Sequence, residues 1–101
     1  MIVHQVLFRL KRPTDDATRA AFAQALRRFA ADPPFATEPA TVQESLLLRG
    51  ESPRTADVLL SVTFSRREDF APYLASDAHE ALLHDTLEPM CEGWWSVQFE
   101  V

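Results

Sequence analysis

The sequence predicts an α+β domain in which helices cover one face of a four-stranded antiparallel sheet. Four segments rich in β-branched and aromatic residues are separated in two places by segments whose apolar residues follow helical spacing. Each helical segment connects two strands, so the order is βαββαβ, the split βαβ or ferredoxin-like arrangement. A length of 101 residues, 47% of them hydrophobic, suits one such domain over residues 1–101.

The first strand and helix carry the clearest local signals. Residues 2–10 contain no glycine or proline and form the first predicted strand. Polar and acidic residues at 13–16 then cap a predicted helix that runs to about Ala31, before two prolines. Alternation along the strand defines a bulkier face that we expect to meet the helices, consisting of Ile2, His4, Val6, Phe8 and Leu10.

The middle of the chain predicts two strands of unequal clarity. Residues 58–64 alternate apolar side chains on one face with smaller ones on the other, which predicts the third strand. The second strand is placed near residues 41–48, where three consecutive leucines follow polar residues. Residues 50–54 contain glycine and proline and form a loop.

The second helical region is predicted to consist of two pieces. Residues 65–68 have the form of a capping box, but Pro72 would then lie inside the helix, which requires a kink or a later start near Asp69. A second cap at Ser76 predicts pieces over residues 66–75 and 78–91, ended by Gly93. The last strand, residues 94–101, then places four apolar residues on one face: Trp95, Val97, Phe99 and Val101.

The second sheet face is expected to be covered by another copy of the chain. It carries Val3, Leu7 and Leu59 among small polar residues, which is too apolar for a face in contact with water. The predicted partner is therefore a homodimer subunit packed through the sheet face.

Composition excludes several function classes. The first 67 residues hold all ten Arg and Lys residues against seven acids, whereas the last 34 hold eight acids and no Arg or Lys. An acidic chain without a basic stripe disfavours nucleic acid as a partner. No apolar stretch or leader predicts a membrane partner or export, so we expect a cytoplasmic protein. The single Cys91 excludes an internal disulfide and a thiolate metal site.

Four segments in order resemble one known family. They are residues 1–8, 57–64, 73–79 and 97–101, and together they are similar to the stress-responsive α/β barrel family, the Dabb domain. The resemblance implies a small, cofactor-free protein that forms a dimeric α+β barrel. It also implies a relation to plant polyketide cyclases of the olivetolic acid cyclase type, although most members of the family have no assigned reaction.

The same resemblance implies a catalytic set of His79, Tyr73 and His4. A histidine with a near-neutral pKa can remove a proton next to a carbonyl, and a tyrosine hydroxyl can stabilise the resulting enolate oxygen. His4 would orient the substrate or the base. The family segment usually reads Tyr-x-x-His-Pro-x-His, whereas this chain has Ser76 and Asp77 at the middle positions, which alters the wall of the expected pocket.

These residues also fit purely structural roles. Tyr73 and His79 would point about 120° apart on a straight helix, so a shared site requires the break at Ser76. In the structural alternative, His4 and Tyr73 are buried core residues and His79 lies at a helix start. Two functions therefore stay open: a cofactor-independent cyclase or lyase acting on a small carbonyl compound, and a non-catalytic dimeric module that binds an apolar ligand. A monooxygenase is supported by fold analogy alone.

Other possible sites are weaker. Glu80, His84 and Glu88 lie in one line on a helix and would not converge on a metal ion. Cys91 is expected to be a buried, inert thiol. Trp94 and Trp95 are expected in the core and at the dimer contact. With two glycines in the chain, no phosphate-binding loop is predicted, and the expected cofactor set is none.

Overall fold

A computed structural model describes residues 1–101 and contains the predicted antiparallel sheet. The strands are β1 (Ile2–Leu10), β2 (Thr41–Glu44), β3 (Val58–Phe64) and β4 (Cys91–Glu100), in the spatial order β2-β3-β1-β4. All neighbouring strands pair antiparallel. The ferredoxin-like fold class predicted from the sequence is thereby confirmed.

The first helix, α1 (Asp16–Ala30), begins at the predicted cap. The Asp15 carboxylate accepts a hydrogen bond of 2.8 Å from the Thr18 N–H, which satisfies one of the free donors of the first turn. Arg27 and Arg28 occupy the last turn, where positive charge is favourable to the helix dipole.

The second helical region is divided as predicted, with different bounds. A 3₁₀ turn (Arg67–Asp69) leads into α2 (Phe70–Ala75), and α3 (Asp77–Leu82) continues through a π-helical segment (Leu83–Leu87) into α4 (Glu88–Met90). Pro72 lies in the first turn of α2, where no helical hydrogen bond is lost. The predicted capping box is wrong, because the Ser65 hydroxyl donates to the Asp69 carboxylate, 3.4 Å away, and not to the helix backbone.

Two strand boundaries differ from the prediction. β2 ends at Glu44, not near residue 48, because Leu47 and Gly50 adopt positive φ angles that strand pairing does not allow. β4 begins at Cys91, so Gly93 does not end the helix but pairs with Arg9 beside a register shift. A Cβ at Gly93 would lie 3.2 Å from the Trp95 ring, which explains why glycine fits this position.

The core lies between one face of the sheet and the helices. The even-numbered face of β1 is buried as predicted, and α1 packs Phe22, Ala23 and Leu26 against it and against β3. Tyr73, the largest fully buried side chain, brings α2 into the same cluster. This layer supplies the hydrophobic free energy of the fold and fixes α2 and α3 above the sheet.

A buried ionic cluster at the other end of β1 was not predicted. The Asp57 carboxylate is fully buried and accepts hydrogen bonds from the Leu10 N–H, Arg12 and Arg19. Arg9 is also buried, although it lies on the outer face of β1, and it donates to the Ser52 and Thr55 carbonyls. The cluster fastens the long β2–β3 connection to the sheet.

The outer sheet face has no cover within the chain. Leu7, Trp95, Val97 and Phe99 are exposed there, as are Leu46 and Leu48 of the β2–β3 connection. No helix of the chain is long and apolar enough to cross a bilayer.

Candidate functional site

A cavity of about 250 Å³ lies between the inner sheet face and the α2–α3 region. Ten of its fourteen lining residues are apolar or aromatic, so it favours an apolar occupant. The other four are His4, His79, Ser96 and Gln98, and Tyr73, one of the ten, adds its hydroxyl to the polar groups. The three residues singled out in the sequence therefore line one cavity.

The break at Ser76 brings Tyr73 and His79 together. Ser76 has an extended conformation, with ψ of 152°, and separates α2 from α3. Its hydroxyl donates a 2.7 Å hydrogen bond to the Tyr73 carbonyl and accepts a 3.2 Å hydrogen bond from the His79 N–H. Ser76, one of the two residues at which the chain departs from the family pattern, is thus the cap between the two helical pieces.

Aromatic contacts connect the three rings. The Tyr73 ring centroid lies 5.0 Å from that of His79 and 5.9 Å from that of His4, both edge to face. Phe70 contacts His4 at 4.9 Å between centroids, and Phe29 lies 6.4 Å from His79. Edge-to-face packing of this kind restricts ring orientation, so the site is preorganised.

Burial determines the protonation states. It lowers the pKa of His4 to about 4, with the nearby His79 contributing in the same direction. Burial also lowers the pKa of His79, and the Glu80 carboxylate and the nearby Leu74 backbone oppose this shift. The pKa of Tyr73 is raised by burial, with no hydrogen bond contributing. At neutral pH the site therefore holds two neutral imidazoles and a protonated phenol.

One fully buried polar atom of the site lacks a partner. His79 Nδ1 is buried and has no hydrogen bond within the chain. An unsatisfied buried polar atom costs about 1–3 kcal/mol, and such atoms in folded proteins call for a functional or structural explanation. His79 itself lines the apolar cavity.

The last strand contributes residues that sequence reasoning did not assign to the site. Trp94, Ser96 and Gln98 line the cavity because β4 pairs with β1 so that Trp94 lies opposite Phe8 and Gln98 opposite His4. Alternation along β4 places these residues on the face opposite to Trp95, Val97 and Phe99, but their polarity does not identify it as the inner face. The expected core position of Trp94 and Trp95 is wrong, because both are exposed in the single chain, whereas their expected dimer contact stays a prediction.

The alternative sites remain separate from this cavity. His84 forms exposed pairs with Glu80 at 3.3 Å and Glu88 at 3.2 Å, and no group of three or more His, Cys, Asp or Glu residues converges as metal ligands would. Cys91 is buried as predicted, and burial raises the pKa of its thiol to about 12. Neither group has the geometry of a second reactive site.

Sequence comparison decides the family. The model of the Dabb family, described as the Stress responsive A/B Barrel Domain, matches residues 2–101. The chain belongs to this family. No curated protein matches this Dabb chain in sequence.

Solved structures show the same fold. A Dabb family protein of Mesorhizobium loti with a ferredoxin-like fold is 18% identical, with a TM-score of 0.77 over 99% of this chain and 95% of that one. A dimeric ferredoxin-like protein of unknown function from Thermobifida fusca is 23% identical, with a TM-score of 0.73 over 99% and 90%. A Nitrosomonas europaea protein provisionally assigned as an antibiotic biosynthesis monooxygenase is 17% identical, with a TM-score of 0.68 over 100% and 98%.

Proposed function

We propose that this Dabb domain binds a small, largely apolar carbonyl compound in the cavity between sheet and helices, and that His79 acts on it as a general base. The observation that carries the proposal is the unpartnered, buried His79 Nδ1 beside Tyr73 in an apolar cavity. The reaction class is a cyclisation or lyase-type reaction that needs proton transfer and no cofactor.

The protonation states support this chemistry. A neutral His79 can take a proton from the carbon next to the carbonyl, and the electron pair then moves to the carbonyl oxygen. The protonated Tyr73 hydroxyl can donate a hydrogen bond to that oxygen as its charge develops. In a cyclisation, the enolate carbon then attacks a second carbonyl of the same molecule, and the new alkoxide takes the proton back from His79.

The lining limits the substrate class. No Lys or Arg lines the cavity, so nothing there would compensate the burial of a carboxylate or phosphate. The apolar residues Phe70, Leu82 and Trp94 instead favour a neutral, flat or aliphatic body. A volume of about 250 Å³ admits a small molecule.

Single substitutions test the proposal. His79→Ala and Tyr73→Phe should leave fold and assembly intact while they lower turnover of a carbonyl substrate, about 10²- to 10⁴-fold for loss of the base. His84→Ala is the matched control, because His84 is an exposed histidine outside the cavity. Thermal melts with and without small ketones and diketones provide the substrate screen.

The opposite outcome would favour the structural alternative. If Tyr73→Phe and His79→Ala lower the melting temperature, and no carbonyl compound shifts the wild-type melt or is turned over, general-base catalysis at this site is refuted. If apolar ligands bind but none reacts, the chain is a binding module.

We further propose that the domain is a homodimer through its outer sheet face. The exposed side chains of Leu7, Val97 and Phe99 form a continuous apolar surface with Trp95, which is 59% exposed. Beside it, a groove of about 720 Å³ lies under the β2–β3 connection, where Leu46 and Leu48 are 82% and 86% exposed. Association with a partner would remove this apolar surface from water. A second copy of the chain presents the same surface, so the two copies can pack against each other.

A further inference from the structure

The His4 side chain has a single hydrogen-bond partner in the chain, and it comes from the opposite strand. Gln98 lies directly across from His4 in the β1–β4 pairing, on the same face of the sheet. Its Nε2 atom lies 2.8 Å from His4 Nδ1. Directly opposed residues of an antiparallel pair keep their side chains in reach without backbone movement, so this contact is built into the register.

The amide of Gln98 has a second anchor. Its Nε2 atom also donates to the Ser96 hydroxyl, 3.2 Å away, two residues earlier on the same face of β4. An amide nitrogen carries two hydrogens and no acceptor lone pair. With one hydrogen directed to Ser96 and the other to His4, both donors are used, and His4 Nδ1 must be the acceptor.

We propose that Gln98 is a positioning residue that holds His4 in the tautomer with its proton on Nε2, so that His4 donates a hydrogen bond to the oxygen of the molecule bound in the cavity. A neutral imidazole carries one proton, and a ring that accepts at Nδ1 donates at Nε2. Of the three rings in the cavity, His4 and Tyr73 would then be donors and His79 the acceptor.

This arrangement gives the two histidines of the site different roles. His79 Nδ1 has no partner in the chain and is free to act as a base, whereas His4 is held by an amide and serves as a donor. Two donors converging on one oxygen form the kind of preorganised electrostatic site that stabilises an enolate. Only this last step, the action on a bound oxygen, depends on the proposed function.

The tautomer is measurable in the ligand-free protein. Long-range ¹H–¹⁵N spectra of histidine-labelled protein at pH 7.5 should show His4 with an unprotonated Nδ1 and a protonated Nε2. In Gln98→Glu, which has the same shape but only accepts, the proton should move to Nδ1. Gln24→Glu, the same charge change at an exposed position on α1, should leave the His4 spectrum unchanged.

The wild-type spectrum alone can refute the proposal. A wild-type His4 protonated at Nδ1 would show that Gln98 presents its oxygen to the ring, and the assigned role would be overturned whether or not any variant folds. A Gln98→Glu protein that folds and keeps the wild-type tautomer would overturn it as well.

A ligand pair separates this inference from the proposed function. Acetophenone and ethylbenzene have similar shape, but only acetophenone offers a carbonyl oxygen. Acetophenone should bind the wild type more tightly, and Gln98→Glu should reduce this preference about 3- to 10-fold, the range for loss of one net hydrogen bond. If the wild type binds acetophenone no more tightly than ethylbenzene, the donor role of His4 is overturned. If both compounds bind and no carbonyl compound is turned over, only the catalytic step is contradicted.

Discussion

Acidification should destabilise the protein through His4. The pKa of His4 is about 4 in the folded chain, against an ordinary value of 6.5. Because the folded pKa is the lower one, the unfolded chain binds the proton first as the pH falls. The stability contribution is therefore complete above pH 6.5 and is lost between pH 6.5 and about 4.

The shift determines the size of the effect. A pKa difference of this size lowers the free energy of unfolding by roughly 3 kcal/mol once the pH has fallen through the whole interval. At pH 5 the linkage relation predicts a free energy of unfolding about 2 kcal/mol lower than at pH 7. The structural cause is first the burial of the ring between Phe70 and Tyr73 and second the repulsion from a protonated His79. The Gln98 amide adds to this, because a donor facing Nδ1 opposes its protonation.

Urea unfolding at pH 7 and pH 5, followed by tryptophan fluorescence at one fixed protein concentration, measures this loss. His4→Gln cannot titrate, and it can still accept the hydrogen bond from Gln98. Its loss of unfolding free energy between the two pH values should be about 2 kcal/mol smaller than that of the wild type. An equal loss in both proteins would refute the reasoning.

His84→Gln is a control with the opposite sign. The Glu88 carboxylate raises the pKa of the exposed His84, and Glu80 adds to this shift. Its contribution to stability is therefore present at low pH and disappears as the pH rises through the raised pKa. His84→Gln should thus make the acid-induced loss slightly larger, never smaller.

Three further predictions concern the ionic cluster, the outer face and the thiol. Asp57→Asn should lower the free energy of unfolding by about 3 kcal/mol in urea titrations, because two arginines lose a fully buried carboxylate, whereas the exposed Asp16→Asn should cost under about 0.5 kcal/mol. Trp95→Lys should convert the dimer to a monomer in sedimentation equilibrium. Phe35→Lys should not, because Phe35 is comparably exposed but lies outside the sheet. A wild-type monomer of 11.4 kDa would contradict the proposed interface. Cys91 should remain unreactive towards Ellman's reagent at pH 8 in the folded protein and react fully in guanidinium, since burial raises the pKa of its thiol to about 12. Rapid labelling of the native protein would contradict this, because it would show that the thiol is accessible.

Local patterns in the sequence determined most of the fold. The period-2 alternation of residues 2–10 identified the buried face of β1, and the Asp15 cap identified the start of α1. The cap at Ser76 predicted the division that separates Tyr73 from His79. These features depend on neighbours within a few residues, and such short-range preferences can be recognised in a single sequence.

The length of β2 could not be predicted, because a run of three leucines is compatible with a strand until the positive φ of Leu47 interrupts it. The start of β4 was missed because Cys91 joins the sheet only through pairing with Leu10, a residue far away in the chain. The burial of the Asp57 carboxylate was not predicted, since its partners Arg12 and Arg19 come from other elements.

The candidate site was likewise predictable from the sequence only in part. Sequence alone proposed His4, Tyr73 and His79, but their presence in one cavity depends on α2 and α3 packing over β1. Gln98 entered the site only through the register of β4 against β1, which places it opposite His4. Register and helix docking are set by the burial of the whole core, so contacts between distant segments are determined by tertiary packing and not by any local pattern.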